Sequence, residues 1–278
     1  MNMKIKIDFI DASEKQTGEF CELYRRVIPN HEQVDPAQIV RSLSRPNRAP
    51  RSIDELANRT QWSGQKSYQL LLGAWADSKM VGFANLVFVP SMRLAFVGQL
   101  AGLPVAGQPG AVTQEIFAHI DSLSSMIPWE WLVFELANDG VEIRRALARQ
   151  RLFRRYLRGL NRETFRIAVP YRLPSQATAD LMIAAIGPNR RAPGTLAKAS
   201  VLNLVRSIYF DIYADALAPN VNSYLYCSGL EAQLRILERK LPEQVALHGE
   251  FKVSKLRKNN APISIARFAR PERLAYAY

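Results

Sequence analysis

The sequence predicts an α/β or α+β sandwich: a mixed, mostly antiparallel sheet with helices on both faces. Residues 67–103 contain three consecutive apolar runs, 67–76, 79–90 and 92–103, rich in β-branched and aromatic residues. The links Asp77-Ser78 and Pro90-Ser91 are too short for anything but hairpins, so the runs pair antiparallel. Neither face of these runs is polar, and a sheet apolar on both faces needs helices on both sides.

The other elements follow in chain order. Residues 5–10 read as a first strand, 14–27 as a helix closed by Ile28, Pro29 and Asn30, and 36–43 as a second, short helix. Residues 44–64, rich in Pro, Arg, Asn and Ser, read as a long loop or a broken helix. After the three runs comes an uncharged stretch, 104–112, whose Gly107 and Gly110 supply the dihedrals and close backbone approach of a phosphate-cradling bend. A helix starting near Ala111 places Ile116, Ile120 and Leu123 on one face and turns its positive end toward that bend. Residues 129–137 are a fourth apolar run, 141–162 an arginine-rich helix and 164–171 a further strand. Beyond them, 193–218 reads as a long helix, 222–227 as a short strand, 230–241 as a helix, and 245–253 and 262–267 as strands. Residues 222–253 thereby repeat the strand–helix–strand order of 129–171.

Composition bounds the class. With 278 residues, 48% hydrophobic and 22% charged, the chain is globular, with room for one large core or a core plus a smaller domain. The opening alternates like a strand and lacks the apolar region of a signal peptide, and no apolar run is long enough to span a bilayer. Cys21 and Cys227 lie far apart, which fits free thiols in a reducing cytoplasm. His119 and His248 have no neighbouring ligands, and His31 to Asp35 has a His-x-x-x-Asp spacing but Pro36 where a glycine would follow, so no metal site is expected. No Walker loop, paired Cys-x-x-Cys or Gly-x-Ser-x-Gly elbow occurs.

Charge is unevenly placed. Residues 1–140 carry 13 Lys+Arg against 15 Asp+Glu, whereas 141–278 carry 24 against 10. Within 141–172, ten arginines face only Glu142 and Glu163. At 3.6 residues per turn, Arg144, Arg151, Arg155, Arg158 and Arg162 form one stripe opposite Ile143, Ala146, Phe153, Leu157 and Leu160. The stripe is either a solvated outer face or a surface for an anionic partner, such as nucleic acid or an acidic protein.

The element order over roughly residues 3–172 resembles the GNAT family of N-acetyltransferases. The run 79–90 is similar to that family's glycine-bearing strand after a tight hairpin, and 99–104 stands where its splayed strand leads into the pyrophosphate loop. Phe134, Glu135 and Asn138 ahead of a helix containing Tyr156 resemble its later strand–helix step. The loop departs from the family in having no leading basic residue, with Gln108 in its place only in a shifted register.

The resemblance implies an acetyltransferase-like domain at 1–172 with a C-terminal extension at 173–278, which is either a truncated second half or the end of one domain with an insertion. It implies transfer of an acetyl or other acyl group from acetyl-CoA or another acyl-CoA to an amine, without a metal. Leu100, Ala101 and Leu103 would orient the thioester arm, Ala106, Gly107, Gln108, Gly110 and Ala111 would hold the phosphates, and Asn138 would contact the arm. Glu135, a lone carboxylate in an apolar strand, is the candidate base, since apolar surroundings raise a carboxyl toward the range a base needs. Tyr156 is the candidate acid. The alternative is a non-catalytic module of the same fold that binds nucleic acid or an acidic protein through its basic half.

Overall fold

The computed structural model describes residues 4–11, 13–28, 35–43, 55, 67–105, 110–127, 129–137, 143–172, 178–185, 194–217, 223–248 and 276–277. In chain order the elements are β1 (Ile5–Phe9), α1 (Glu14–Val27), α2 (Pro36–Leu43), β2 (Tyr68–Ala76), β3 (Lys79–Val89), β4 (Leu94–Gly102), α3 (Ala111–Leu123) and β5 (Trp131–Ala137). They continue with α4 (Ile143–Gly159), β6 (Thr164–Arg172), β7 (Thr178–Ala185), β8 (Thr195–Ala197), α5 (Lys198–Ser207), a π-helical segment (Ile208–Leu217), α6 (Ser223–Lys240), β9 (Gln244–His248) and β10 (Tyr276–Ala277).

The strands form one mixed sheet in the order β1-β2-β3-β4-β5-β7-β6-β9-β8, with β10 set against β4. Among the described strands only β4 and β5 run parallel, joined through α3. The expected fold class is the one observed. Asp77 and Ser78 both take positive φ, 48° and 64°, the twist a two-residue hairpin requires. A one-turn 3₁₀ helix at Pro90–Met92, closed by Arg93 at φ 50°, makes the second hairpin.

Alternation along the strands sorts the core. Leu70, Leu72, Leu86, Phe88 and Val97 point to one face, where α3 and α4 cover them. There Phe117 meets Phe153 at 5.3 Å and Tyr156 at 5.9 Å between ring centroids. On the other face, Leu71, Phe83 and Ala101 pack under α1 and α2. Farther along that face, Val87, Phe96, Val133 and Leu181 pack under α5, the π-helical segment and α6.

The C-terminal third differs from expectation. Within the expected helix 193–218, residues 195–217 are a short strand, an α-helix and a π-helical segment, and of the expected strand 222–227 residues 223–227 fall within α6. Strand β7, which the sequence does not announce, inserts between β5 and β6. The expected strand at 262–267 lies outside the described residues. No described helix is long and apolar enough to cross a membrane.

His119 on α3 has a buried Nε2 with no hydrogen-bond partner, and burial lowers its pKa from 6.5. A depressed histidine disfavours the proton in the folded state, so the associated stability is present above the unfolded value and is lost as pH falls below about 6.5. In the His119→Leu chain that acid loss, followed by thermal melting across pH 7 to 5, should shrink; an unchanged profile would exclude His119 as its source.

Candidate active site

β4 and β5 pair only over residues 94–97 and 131–134. Their separation has a local cause on each strand. Against β3, Val97 pairs with Leu86 and Gln99 with Asn85, leaving Gly98 as the extra residue of a β-bulge that bends β4. β5 meanwhile keeps its register with β7 from Trp131–Ala185 to Ala137–Ala179. Each strand follows its other neighbour, and the two part just after Val97 and Phe134.

Past the parting, the Leu103 N–H donates to the Val81 carbonyl at 2.7 Å, so the chain stays on β3. The other edge of Ala101 and Gly102 pairs with Ala277 and Tyr276 of β10. Leu100 and Ala101 are buried, and Leu103 is half-buried.

Two glycines bring the first turn of α3 onto the ends of β3 and β4. A Cβ on Gly102 would lie 2.8 Å from Thr113 Oγ1, and one on Gly82 would lie 2.5 Å from Val112 Cγ1. Gly110 caps α3 at φ 84°, in the left-handed region, and its carbonyl accepts the Gln114 N–H at 2.9 Å. The cap has no side-chain hydrogen bond, and the first turn contains no acid. Its orphan N–H groups and dipole thus carry a positive end that no carboxylate in that turn offsets.

Tyr156 on α4 is 8% exposed and reaches this helix end: a Cβ on Gly110 would stand 1.8 Å from its hydroxyl. The structure therefore brings together Gly110 and Tyr156, 46 positions apart in the chain. Half-buried Ala111 opens the same helix. Ala106, Gly107, Gln108 and Asn138 lie outside the described residues.

Glu135 belongs to the opposite face. Phe134 enters the α3–α4 core, so Glu135 turns with Val133 toward the π-helical segment. There the Tyr213 hydroxyl donates a hydrogen bond to Glu135 Oε2. The Tyr213 ring meets Phe96 edge-on at 6.1 Å. Sequence reasoning missed Tyr213, because nothing local links the π-helical segment to β5.

The arginine stripe needs one correction. α4 ends at Gly159 and the chain turns at Asn161, φ 58°, so Arg162 leaves the helix and folds back onto α3. Its guanidinium binds both Asp121 oxygens, at 2.7 and 3.1 Å, and only 11% of the side chain is exposed. Arg151, Arg155 and Arg158 are exposed. The Arg144 side chain lies outside the described residues.

No family model matches this chain, and no curated protein sequence matches it. Solved acetyltransferase structures do align with it. A diaminobutyrate acetyltransferase from Paenibacillus lautus, solved with its substrate and coenzyme A, is 14% identical over 69% of this chain and all of its own, with a TM-score of 0.45. The aminoglycoside 6'-N-acetyltransferase from Enterococcus faecium is 10% identical over the same 69% and all of its own length, TM-score 0.43. The ribosomal-protein-S18-alanine N-acetyltransferase from Escherichia coli is 14% identical over 69% of this chain and 99% of its own, TM-score 0.39.

Proposed function

We propose that this chain is an N-acyltransferase that moves an acetyl or other acyl group from acetyl-CoA or another acyl-CoA to an amine. One observation carries the proposal: β4 parts from β5 directly ahead of an uncapped helix N-terminus, with a carboxylate on one face of the parting and a tyrosine hydroxyl by the other. Backbone groups freed at a strand edge suit an extended amide-bearing arm, and a helix N-terminus suits phosphate. A bound thioester would supply an activated acyl carbon with a thiolate leaving group.

The protein's own groups then divide the work. Leu100, Ala101 and Leu103 orient the arm through their backbone, and Gly110 and Ala111 hold phosphate at the start of α3, with Ala106, Gly107 and Gln108 completing the bend and Asn138 touching the arm. Glu135 takes one proton from the acceptor's ammonium, the neutral amine so formed attacks the acyl carbon, and the second nitrogen proton replaces the one that Tyr156 gives up. Tyr156 donates its proton to the departing sulfur as the C–S bond breaks. Residues 1–172 together with β7 supply the acyl-transfer sheet, and the extension beyond it reaches the acceptor face through Tyr213. A cytoplasmic location suits the two free cysteines.

Calorimetry with coenzyme A tests this directly. Saturable binding of one equivalent is expected, and a chain that takes up no coenzyme A would end the proposal. Because Tyr276 and Ala277 occupy the β4 edge that the arm needs, deleting 276–278 should tighten binding several-fold. Unchanged affinity would place the arm elsewhere.

A second reading rests on the exposed trio Arg151, Arg155 and Arg158. Guanidinium forks on one face suit phosphates or carboxylates, so the basic half would bind nucleic acid or an acidic protein. With duplex DNA, changing all three to Gln should flatten the log–log salt slope by roughly 0.9 for each phosphate that the variant leaves unneutralised. An unaltered slope would leave the stripe as a solvated face.

A further inference from the structure

Strands β2 to β5 each carry one polar residue within an otherwise apolar interior: Gln69, Asn85, Gln99 and Glu135. All four belong to the face shared by α1–α2 and the C-terminal helices, on the seam between the two apolar clusters. The first three are joined. The Ser42 hydroxyl of α2 donates to Gln69 Oε1. Gln69 Nε2 donates to Asn85 Oδ1 at 2.8 Å, and Asn85 Nδ2 donates to Gln99 Oε1 at 2.7 Å.

Ser42, Gln69 and Asn85 are 6%, 4% and 0% exposed, whereas Gln99 is half-exposed. Burying two carboxamides and a hydroxyl costs several kcal/mol unless each is bonded, and apolar residues would fill the same face at no such cost. The row also has a direction. A carboxamide has one oxygen and one NH2; Gln69 donates to Asn85 and Asn85 to Gln99, so the last amide stands with its NH2 as the outer end.

That end stands where the chemistry would occur. Gln99 follows the bulge residue Gly98, and Glu135 comes one residue after the last β5 residue paired with β4. Gln99 and Glu135 thus lie on the same face, each just past the point where β4 and β5 part. We infer that Gln99 is a specificity-determining residue: its NH2 holds an oxygen of the acceptor beside the reacting amine, and Ser42, Gln69 and Asn85 are positioning residues that fix its direction. The acceptor class is a primary amine with a carbonyl oxygen two bonds from the amine carbon, as in an aminoacyl group or a peptide N-terminus. This deepens the acyl-transfer reading and rests on it.

Glycinamide and ethylamine separate the oxygen from the amine. Titrated at millimolar concentration into ¹⁵N-labelled full-length protein, glycinamide should shift the Gln99 side-chain NH2 signals, identified by their absence in Gln99→Met, and ethylamine should leave them in place. Gln99→Met should bind glycinamide about tenfold more weakly, the effect expected of removing one hydrogen bond. Gln99→Asn, which keeps the amide but withdraws it by one carbon, should fall between. In turnover, Gln99→Met should lower the preference for glycinamide over ethylamine in kcat/KM. Equal shifts from the two amines, no shift from either, or undiminished glycinamide binding by Gln99→Met would overturn the inference. None of the binding readouts needs coenzyme A, so their failure is distinct from a failure to bind coenzyme A, which would strike the acyl-transfer reading itself.

Discussion

Gly110→Ala lowers the melting temperature and weakens coenzyme A binding, and adding Tyr156→Phe restores much of the lost stability. Two costs meet at this residue. An alanine at φ 84° carries a left-handed penalty of about 1–2 kcal/mol. Its Cβ would also stand 1.8 Å from the Tyr156 hydroxyl, forcing the ring or the helix start to move. Overpacking of this kind costs about 1–3 kcal/mol. Tyr156→Phe removes the colliding oxygen and leaves the ring carbon at 3.1 Å, so only the second cost is relieved. A double-mutant cycle should therefore give a favourable coupling of at least about 1 kcal/mol. Strictly additive effects would mean that the hydroxyl does not stand against Gly110. Gly110→Trp, bulkier still, should abolish coenzyme A protection against thermal unfolding. Tyr156→Phe alone should lower turnover more than it weakens coenzyme A binding, as removal of an acid should.

The largest expected effect on catalysis belongs to Glu135. Glu135→Gln keeps the shape of the side chain and can still pair with Tyr213, but it cannot accept a proton. Positioned general bases contribute about 10²–10⁴ in rate, so kcat should fall by that order while the coenzyme A dissociation constant stays within about twofold. Tyr213→Phe removes the hydroxyl bonded to Glu135 and keeps the ring against Phe96. It should cost roughly tenfold in kcat, because the carboxylate loses a donor that orients it. If Glu135→Gln turns over at the wild-type rate, another group or a water chain takes the proton. If Tyr213→Phe changes KM alone, Tyr213 acts in acceptor binding and not on the base.

Polar residues inside the apolar strands are the most legible sign of the proposed site. Glu135 stood out because a lone carboxylate in such a strand needs a reason, and the same argument applies to Gln69, Asn85 and Gln99. Their alignment could not be read locally, because it depends on the bulge at Gly98 and on strand register, which pairing partners set. Gly110 was legible as a bend glycine from its place between a strand and a helix, and it takes φ 84° there. What it touches was not, since Tyr156 reaches it only after β5 and α4 have packed.

The sequence by itself determined the central sheet. The hairpins at Asp77-Ser78 and Pro90-Ser91 and the double-sided apolar runs are short-range facts, and they require antiparallel strands with helices on both faces. It also determined α1, α2 and α3, whose periodicity and flanking breakers are local. Only the tertiary structure decided where β4 parts from β5, because each strand is held by its other neighbour, β3 or β7, and a strand's choice of neighbour is a long-range matter. The same holds for Arg162, which continues the helical period in sequence yet turns onto Asp121 once the helix stops at Gly159. It holds again for residues 193–218, whose apolar spacing suits one long helix. Thr195–Ala197 instead pair with β9 as β8, because a neighbouring strand edge satisfies backbone groups that an isolated helix end would leave open.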